Sequence, residues 1–271
     1  RRGRPAHGSR SSHVNRLKDR RILVTGAAQG IGAAIAIACV QEGASVVLTD
    51  ISDRVEHTAD SIAAQFPAAS VVAYQLDVSR RSDWTEVMAQ LDSVGHGIDG
   101  LVNNAGINVK HVPHEMPDVE WDRCLDTNLR GAWYGALSVL PQMLARRAGV
   151  IVNIASVHGH AIIPGSFPYP VAKHGLIGMT RALGVEYASC GIRVNAISPG
   201  YVDTPLIRTW WQEHPDPEAA QRATLQLIPS GKLAAAREVA MAAVFLLSDE
   251  APSINATTLI IDGGSLAQFH P

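Results

Sequence analysis

The stretch "RILVTGAAQGIG", residues 21–32, joins a short apolar run to a turn that holds three glycines. A glycine-rich turn between a strand and a helix lets backbone N–H groups approach a pyrophosphate, and the helix N-terminus adds a favourable dipole. Glycines alone are a weak signal because ordinary turns also need them. Their position after an apolar run and before a helical pattern strengthens it, so the stretch predicts a dinucleotide-binding turn.

The same rhythm of apolar runs and helical segments continues along the chain. Further apolar runs cover residues 45–50, 71–77, 100–106, 149–156, 192–198 and 258–264. Runs without apolar–polar alternation indicate strands buried on both faces, and strands that alternate with helices form a parallel sheet. We therefore predict one α/β domain over residues 20–271, a doubly wound parallel sheet of about seven strands with helices on both faces.

Two segments depart from this rhythm. Residues 1–19 are basic, rich in serine and glycine, and lack an apolar period, which predicts a flexible tail. A nucleic-acid arm or a targeting segment is the alternative for this tail. Residues 201–232 separate the last two apolar runs and hold two tryptophans, and a long insertion of this kind often forms a lid. We predict a substrate lid there.

Composition and cysteine spacing narrow the class of protein. The chain has 271 residues, 46% of them hydrophobic, and a formal net charge of −2. This charge predicts neither a nucleic-acid nor an anionic-membrane partner, and no apolar run reaches the roughly 18 residues of a membrane span. Cys39, Cys124 and Cys190 form no zinc or redox motif, which favours a cytoplasmic protein without a metal site. The N-terminus lacks an apolar signal region, so secretion is not expected.

An acidic residue, Asp50, ends the second apolar run about 20 residues beyond the glycine turn, where an acid binds the adenosine ribose hydroxyls in dinucleotide folds. A carboxylate there would repel a 2′-phosphate, and the next residue is Ile51 rather than a cation. NAD is therefore predicted over NADP, although Arg54 lies close enough to keep NADP open. An ordinary strand-end aspartate is the structural alternative.

Four motifs occur together in one order along the chain. They are Gly-x-x-x-Gly-x-Gly at 26–32, "NNAG" at 103–106, Ser156 at the end of the fifth apolar run, and Tyr-x-x-x-Lys at 169–173. On these motifs the chain resembles the short-chain dehydrogenase/reductase family over about residues 20–264. The resemblance implies a Rossmann-type fold and an enzyme that moves a hydride between a secondary alcohol or ketone and the nicotinamide ring of NAD. It also implies a homotetramer that pairs helices over 118–146 and 167–190.

The resemblance assigns cofactor contacts to four parts of the chain, beside Asp50 and Ile51 at the adenosine ribose. The pyrophosphate turn would be lined by Gly26, Gln29, Gly30, Ile31 and Gly32. The adenine edge would contact Asp77 and Val78. The "NNAG" motif would brace the sheet behind the ribose through Asn104, Ala105 and Gly106. The nicotinamide carboxamide would be held by Pro199, Gly200, Val202 and Thr204.

The catalytic residues implied by the resemblance are Asn128, Ser156, Tyr169 and Lys173. A free tyrosine has a pKa near 10, and both a lysine one helical turn away and the positive nicotinamide ring of NAD⁺ would favour its phenolate. Ser156 would polarise the substrate oxygen. Lys173, with Tyr169, would also contact the nicotinamide ribose. Asn128 would bind a water that passes the proton to solvent, and bending or capping of the helix is the alternative role for it.

Two prolines flank Tyr169 in "SFPYPVAKHG", residues 166–175. We expect Ser166 to cap the following helix and both Pro168 and Pro170 to lie in its first turn, where a missing N–H costs little. On this interpretation the prolines stiffen the helix start at the point where Tyr169 must face the site.

Substrate contacts are the least determined part of the sequence. We expect Ser156, His158, Arg208 and Trp211 to face the substrate. Arg208 could clamp a carboxylate, with a surface ion pair as its alternative. Histidine pairs at 158 and 160, or at 111 and 114, are more simply exposed or hydrogen-bonding than metal ligands.

Two segments suggest a substrate class. The run "HGHAIIPGSFPYPVAKHGLIG", residues 158–178, and the ending "DGGSLAQFHP", residues 262–271, resemble sugar and sugar-acid dehydrogenases, especially enzymes that oxidise 2-keto-3-deoxy-L-fuconate. The ending "SLAQFHP" is expected to pack at a subunit interface. A 3-oxoacyl-acyl-carrier-protein reductase is the alternative enzyme, and a catalytically silent NAD-binding sensor is the alternative outside catalysis.

Overall fold

The seven apolar runs form one sheet in the computed structural model, which describes residues 15–93, 95 and 97–268. The sheet contains β1 (Arg21–Thr25), β2 (Ser45–Asp50), β3 (Val71–Gln75), β4 (Gly100–Asn103), β6 (Gly149–Ile154), β8 (Ile192–Pro199) and β11 (Thr258–Ile261). Two short pairs lie outside it: β5 (Lys110–His111) with β7 (Phe167–Pro168), and β9 (Val202–Asp203) with β10 (Ala234–Ala235).

The sheet is parallel throughout and reverses its winding once. Its spatial order is β11-β8-β6-β4-β1-β2-β3, with every adjacent pair parallel. The chain runs outward from β1 through β2 to β3, then crosses to β4 on the other side of β1. Such a switch point opens a crevice at the carboxyl ends of the strands, which is where ligands bind in open α/β sheets. The predicted doubly wound sheet is confirmed.

Helices cover both faces of the sheet. They are α1 (Gly30–Gln41), α2 (Arg54–Gln65), α3 (Arg81–Asp92), α4 (Asp118–Leu125), α5 (Gly131–Arg146), α6 (Tyr169–Glu186), α7 (Pro205–Gln212), α8 (Pro217–Gln226) and α9 (Ala236–Leu247). One core cluster joins α1, α2 and α9 to one face, and another joins α3 and α5 to the opposite face. No helix in the described part of the chain is long and apolar enough to cross a membrane.

The central strands are buried on both faces, as their unbroken apolar runs predict. In β1, Ile22 and Leu23 have no exposed surface although neighbouring side chains point to opposite faces, because helices cover each face. The edge strands differ. Val72 in β3 and Leu259 and Ile260 in β11 stay partly exposed, because an edge strand is less completely covered than a central one.

A chain of buried polar side chains fastens α6 to the sheet. Asn103 in β4 donates its amide N–H to Asn153 Oδ1 at 2.9 Å, and Asn153 in β6 donates to Thr180 Oγ1 in α6 at 2.9 Å. Asn153 and Thr180 are fully buried. Since buried polar groups are costly unless paired, these contacts fix the position of α6 against the sheet, and α6 carries Tyr169 and Lys173.

The predicted flexible tail extends too far. Residues 1–14 lie outside the described residues, but residues 15–19 pack against the end of α1. Leu17 has no exposed surface, and its backbone N–H donates to the Glu42 carbonyl at 2.9 Å. Arg16 pairs with the Glu42 carboxylate at 2.7 Å. A single leucine inside a basic stretch carries no periodic signal, so the sequence placed the boundary after residue 19 instead of before residue 15.

Replacing Leu17 with alanine should therefore destabilise the domain by about 2–5 kcal/mol, the usual cost of removing a buried leucine side chain. Lys18→Ala is the matched control, because Lys18 is exposed and next in sequence. Its change should stay within about 0.5 kcal/mol. Urea unfolding of the two variants checks the prediction. Equal unfolding midpoints for Leu17→Ala and Lys18→Ala would mean that residues 15–19 do not contribute to the stability of the domain.

The predicted lid segment, residues 201–232, is more regular than its sequence suggests. It contains β9, α7 and α8, and the two helices are joined by a buried hydrogen bond from Trp211 Nε1 to Thr224 Oγ1 at 3.1 Å. Asp216 caps α8 by accepting a hydrogen bond from the Ala219 N–H at 2.9 Å. The segment is therefore a helical pair held together by its own side chains.

Candidate active site

The glycine turn lies at the carboxyl end of β1 and requires glycine at two positions. A Cβ on Gly26 would lie 2.7 Å from the Ala105 Cα, and Gly26 has a φ of +63°. A Cβ on Gly32 would lie 2.2 Å from the Gly26 carbonyl oxygen. Tight contacts within the turn and with the "NNAG" segment therefore exclude larger residues at Gly26 and Gly32. Without side chains at these positions, a ligand can approach the backbone closely.

Helix α1 begins directly after this turn, at Gly30. Gln29 precedes its first residue, and in the described chain no side-chain hydrogen bond caps this end and no acid lies in its first turn. Ile31 and Gly32 follow in that first turn. Free N–H groups and the positive end of the helix dipole suit a pyrophosphate, so this part of the site fits a dinucleotide.

The "NNAG" segment wraps around the end of β1. Asn104 donates its amide to the carbonyl oxygens of Thr25 and Gly26, both at 2.9 Å, and the backbone N–H groups of Asn104 and Ala105 share the Thr25 hydroxyl at 3.0 Å. A Cβ on Gly106 would lie 2.7 Å from Asn128 Oδ1. The segment thus connects the glycine turn to the predicted catalytic residues across the switch point.

The predicted adenosine contacts lie at the ends of β2 and β3. Asp50 accepts hydrogen bonds from the backbone N–H groups of Ala28 and Ser52, both at 3.0 Å, which ties it to the glycine turn. Ile51 is 63% exposed, whereas Val78 is buried. Ile51 and Asp77 line a cavity of about 600 Å³. The cavity lies along β3 and α3, and its role as the adenine region stays a prediction.

The residues predicted to bind the carboxamide follow β8 and lie close to the glycine turn. The Gly200 N–H donates to the Ile261 carbonyl at 2.9 Å, directly after β8. Pro199 ends β8 and Val202 is buried. Thr204 Cγ2 lies 3.7 Å from where a Cβ on Gly30 would stand. The segment from 199 to 204 therefore closes the crevice opposite α1.

Tyr169 and Lys173 lie one turn apart on α6. Tyr169 is the first residue of the helix, and the Lys173 Nζ lies 5.4 Å from the centre of its ring. Lys173 is 4% exposed and donates to the Ile154 carbonyl oxygen at 2.8 Å. The Lys173 side chain thus lies between the end of β6 and the Tyr169 ring. Its spacing of four residues predicts that it shares a helix face with Tyr169.

The predicted start of α6 is partly wrong. Pro168, not Ser166, precedes the first helical residue, and Pro168 therefore lies just outside the first turn. The Ser166 hydroxyl donates to the Ile163 carbonyl instead, because the short strand β7 separates it from the helix. Pro170 is the second helical residue, as expected, so its missing N–H removes no helical hydrogen bond.

Ser156 follows β6 and faces Tyr169. It is 8% exposed, and its Oγ accepts the His158 N–H at 3.2 Å. A hydrogen bond from the Ser156 side chain also acts to lower the pKa of Tyr169, but burial dominates and raises that pKa to about 12. The sequence predicted a depressed pKa for this phenol. In the protein alone burial outweighs the hydrogen bond, so a lowered pKa of Tyr169 stays a prediction for the cofactor-bound enzyme.

Burial also acts on Lys173, whose pKa falls to about 8. The loss of hydration disfavours the ammonium, and no carboxylate lies within ion-pair distance of it among the described residues. The lysine can therefore change its protonation near the pH at which such an enzyme works. Proton transfer through this residue is compatible with its environment.

Asn128 lies in a π-helical turn, Asp126–Arg130, that interrupts the predicted helix over 118–146. Its side chain exchanges hydrogen bonds with the Ile107 backbone at 3.1 and 3.0 Å and also donates to the Cys124 carbonyl at 2.9 Å. The amide thus fastens the π-helical turn to Ile107 and Cys124, which agrees with the helix-bending alternative. Its Oδ1 keeps a second lone pair, so the binding of a water by Asn128 stays a prediction.

A buried cysteine beneath these residues was not assigned to the site from the sequence. Cys124 packs with Ala172 and Val109 against Tyr169, and its Sγ lies 3.5 Å from the Asn128 amide nitrogen. Burial raises the pKa of the Cys124 thiol, which keeps it protonated. Only the packing of α4 on α6 brings it here, and no sequence spacing indicates this contact.

The three further substrate candidates have different environments. The His158 ring lies edge-on to the Tyr169 ring at 5.7 Å, which keeps it in the site. Arg208 already forms two hydrogen bonds with the exposed Asp203 carboxylate, at 2.8 and 3.0 Å. Trp211 is 9% exposed and its indole N–H is bound to Thr224. Arg208 thus forms the surface ion pair given as its alternative, which argues against a carboxylate clamp, and the buried Trp211 directs its polar atom to Thr224 instead of to a ligand.

Comparison with known proteins identifies the class. A family model described as Enoyl-(Acyl carrier protein) reductase matches residues 26–265. The chain belongs to this family, the short-chain dehydrogenase/reductases, and is an oxidoreductase with a nicotinamide-cofactor fold. The family assignment and the enzyme class drawn from the sequence are confirmed.

Particular relatives cover nearly the whole chain. Levodione reductase of Leifsonia aquatica is 38% identical over 265 residues, 96% of this chain and 98% of that protein. A crystal structure of levodione reductase has a TM-score of 0.89 at 36% identity, covering 93% of this chain and all of that one. The 3-oxoacyl-[acyl-carrier-protein] reductase of Thermotoga maritima is 38% identical over 92% of this chain and 98% of its own. A candidate NAD(P)-dependent gluconate 5-dehydrogenase from Beutenbergia cavernae, solved with bound NADP, has a TM-score of 0.87 at 34% identity over 94% of this chain and all of that one.

Proposed function

We propose that this oxidoreductase is an NAD-dependent dehydrogenase that oxidises a secondary hydroxyl of a sugar or a 2-keto-3-deoxy sugar acid in carbohydrate breakdown. One observation carries the reaction class: Tyr169 and Lys173 lie one turn apart on α6 beside Ser156, at the switch point that holds the glycine turn. The likeness to a candidate gluconate 5-dehydrogenase supports the substrate class.

The residues present fit a nicotinamide dinucleotide. The glycine turn leaves no room for side chains at Gly26 and Gly32, and the uncapped start of α1 suits the pyrophosphate. Asp50 would hold the adenosine ribose, and the segment from Pro199 to Thr204 would hold the carboxamide end. When bound, the cofactor supplies hydride transfer.

The protein side chains would move the proton. Tyr169 Oη would take the proton from the substrate hydroxyl, and Ser156 Oγ would hold the substrate oxygen in place. The Lys173 ammonium lies close enough to favour the phenolate, and its own pKa of about 8 lets it pass a proton onward. A water on the backbone of the Asn128 turn would connect this lysine to solvent.

A 3-oxoacyl-acyl-carrier-protein reductase remains the second candidate, because the relative from Thermotoga maritima covers nearly the whole chain at 38% identity. The two candidates differ in cofactor and substrate. A screen would offer NAD⁺ with sugars, sugar acids and 2-keto-3-deoxy acids, and NADH or NADPH with acetoacetyl thioesters. Turnover of the thioester alone would replace the first candidate with the second.

We expect NAD preference to depend on Asp50, because its carboxylate would repel a 2′-phosphate. Asp50→Ser should lower kcat/KM for NAD⁺ about tenfold or more and raise it for NADP⁺, an effect of one charge-assisted contact. Asp53→Ser is the matched control: Asp53 is exposed, three residues on, and makes no capping hydrogen bond with its side chain. Initial rates with both cofactors check this. A wild-type enzyme that prefers NADP⁺ would contradict the role of Asp50.

Assembly and setting are part of the same proposal. Val119, Trp133 and Val185 on α4, α5 and α6 leave apolar surface exposed, which supports a homotetramer paired through these helices. The three cysteines are free, which supports a reducing, cytoplasmic setting. Light scattering on the purified protein tests the tetramer directly.

A further inference from the structure

Lys110 belongs to no motif in the sequence, yet it lies beside the predicted catalytic tyrosine, Tyr169. In the short antiparallel pair, Lys110 of β5 stands directly opposite Pro168 of β7, and Pro168 immediately precedes Tyr169. Cα atoms of such partners are about 4.5–5.5 Å apart. Backbone pairing therefore fixes the origin of the Lys110 side chain next to the start of α6.

The side chain of Lys110 reaches across to the lid. Its Nζ lies 5.1 Å from the centre of the Trp210 ring in α7, a cation–π contact. Trp210 is 38% exposed, so water reaches this contact. Lys110 thus connects the start of α6 to the lid segment, with its backbone paired to β7 and its ammonium against α7.

The ammonium of Lys110 is available to a ligand. Within residues 15–93, 95 and 97–268, no carboxylate lies within 4 Å of it, and it is exposed. Arg208, a cation of the lid segment, is instead neutralised by Asp203. An aromatic ring holds a cation in place without neutralising it, so Lys110 keeps its charge for an incoming anion.

The charge of Lys110 acts on His158, which lies beside Tyr169. Burial lowers the pKa of His158, and the positive charge of Lys110 lowers it further. The His158 ring contacts Tyr169, and its Nδ1 is buried without a partner among the described residues. The His158 ring is therefore a second polar group beside Tyr169, near enough to Lys110 to respond to its charge.

We propose that Lys110 binds a carboxylate of the substrate, so that the enzyme selects hydroxy acids over neutral sugars and alditols. This inference rests on the proposed function and deepens it. A compact ammonium held by Trp210 attracts a carboxylate at the entrance, and His158 contacts a hydroxyl between that carboxylate and Tyr169. The selectivity for acids thus depends on the contact between Lys110 of β5 and Trp210 of α7.

The test compares acids with alditols of the same carbon skeleton, starting with gluconate and sorbitol. Lys110→Met removes the charge but keeps an apolar stem against Trp210, and Lys110→Arg keeps the charge. The ratio of kcat/KM for acid over alditol should fall about tenfold or more in Lys110→Met, mainly through KM, and largely survive in Lys110→Arg. Lys232→Met, an exposed lysine at the end of the lid, is the matched control.

An unchanged ratio in Lys110→Met would overturn the inference, and so would a wild-type enzyme that oxidises alditols as well as acids. Tryptophan fluorescence, titrated with gluconate and with sorbitol, gives a readout independent of turnover because Trp210 adjoins Lys110. Gluconate binding should weaken in Lys110→Met. If the wild type oxidises neither class, the proposed function fails, while equal titrations of wild type and Lys110→Met would separately reject the role of Lys110.

Discussion

Tyr169→Phe is expected to lower kcat by about 10²–10⁴, the usual contribution of a positioned general acid–base group. The change removes one oxygen from a ring that packs against Cys124 and Ala172, so the fold should persist. Cofactor affinity should change little, because the glycine turn and Asp50 are distant in sequence and belong to other elements. Steady-state rates with fluorescence titration of NADH measure both quantities.

The pH dependence of this reaction follows from the burial of Tyr169. Burial raises its pKa to about 12, so the phenolate needed for alcohol oxidation is scarce at neutral pH. Oxidation should therefore accelerate as pH rises from 6 to 9, whereas ketone reduction should change little, because a phenol with a pKa of about 12 stays protonated throughout this range. Tyr169→Phe should flatten the oxidation profile.

Tyr187→Phe is the control, since Tyr187 lies at the far end of the same helix. It makes the same chemical change away from the site and should keep the wild-type rate. A Tyr169→Phe enzyme that retains full turnover would remove the acid–base role of Tyr169. A wild-type protein that binds NADH but turns over no substrate would favour the NAD-binding sensor.

Lys173→Met should produce an enzyme that is inactive but more stable at pH 7. The lysine is 4% exposed and has a pKa lowered to about 8, so near neutral pH the fold buries a charge. Methionine has a similar length and no charge. Unfolding free energy should rise by about 2 kcal/mol, after loss of the hydrogen bond to Ile154 is subtracted. Thermal unfolding should shift upward by several degrees.

The sign of the pH effect provides a second check on Lys173. The folded pKa of about 8 is below the unfolded value of 10.5, so between these values the unfolded chain binds the extra proton. Wild-type stability should therefore rise with pH from about 8 to 10 relative to Lys173→Met, and the gap should narrow. Lys232→Met is the control, because an exposed lysine should show no such change. A lower melting temperature for Lys173→Met at pH 7 would mean that the buried charge is compensated.

The strands themselves and the spacing of the motifs were predictable because both are local or periodic features of the chain. Apolar runs such as β1 and β2 are buried wherever helices cover the sheet, and Tyr169 and Lys173 share a helix face through their spacing alone. Single side chains at the ends of elements were less predictable. Ser166 matched the preferred residue type for a helix cap, yet β7 moved the helix start by pairing with β5.

Lid residues show why side-chain roles needed the structure. Arg208 and Trp211 are residue types that often contact ligands, but Asp203 and Thr224 occupy their polar atoms. Lys110 had no signal in its own segment. Its position depends on pairing with β7 and on contact with α7, and both partners are far away along the chain.

The sequence by itself determined a doubly wound sheet and a glycine turn at the end of β1, and it predicted an ordered series of candidate catalytic residues. These features follow from periodicity, backbone conformation and short spacing, which act within one element. The tertiary structure alone decided which cations are neutralised, where α6 begins, that Leu17 is part of the core, and that Lys110 contacts the lid segment. Those outcomes depend on contacts between distant segments, where burial and pairing set the energy of a group more strongly than its residue type.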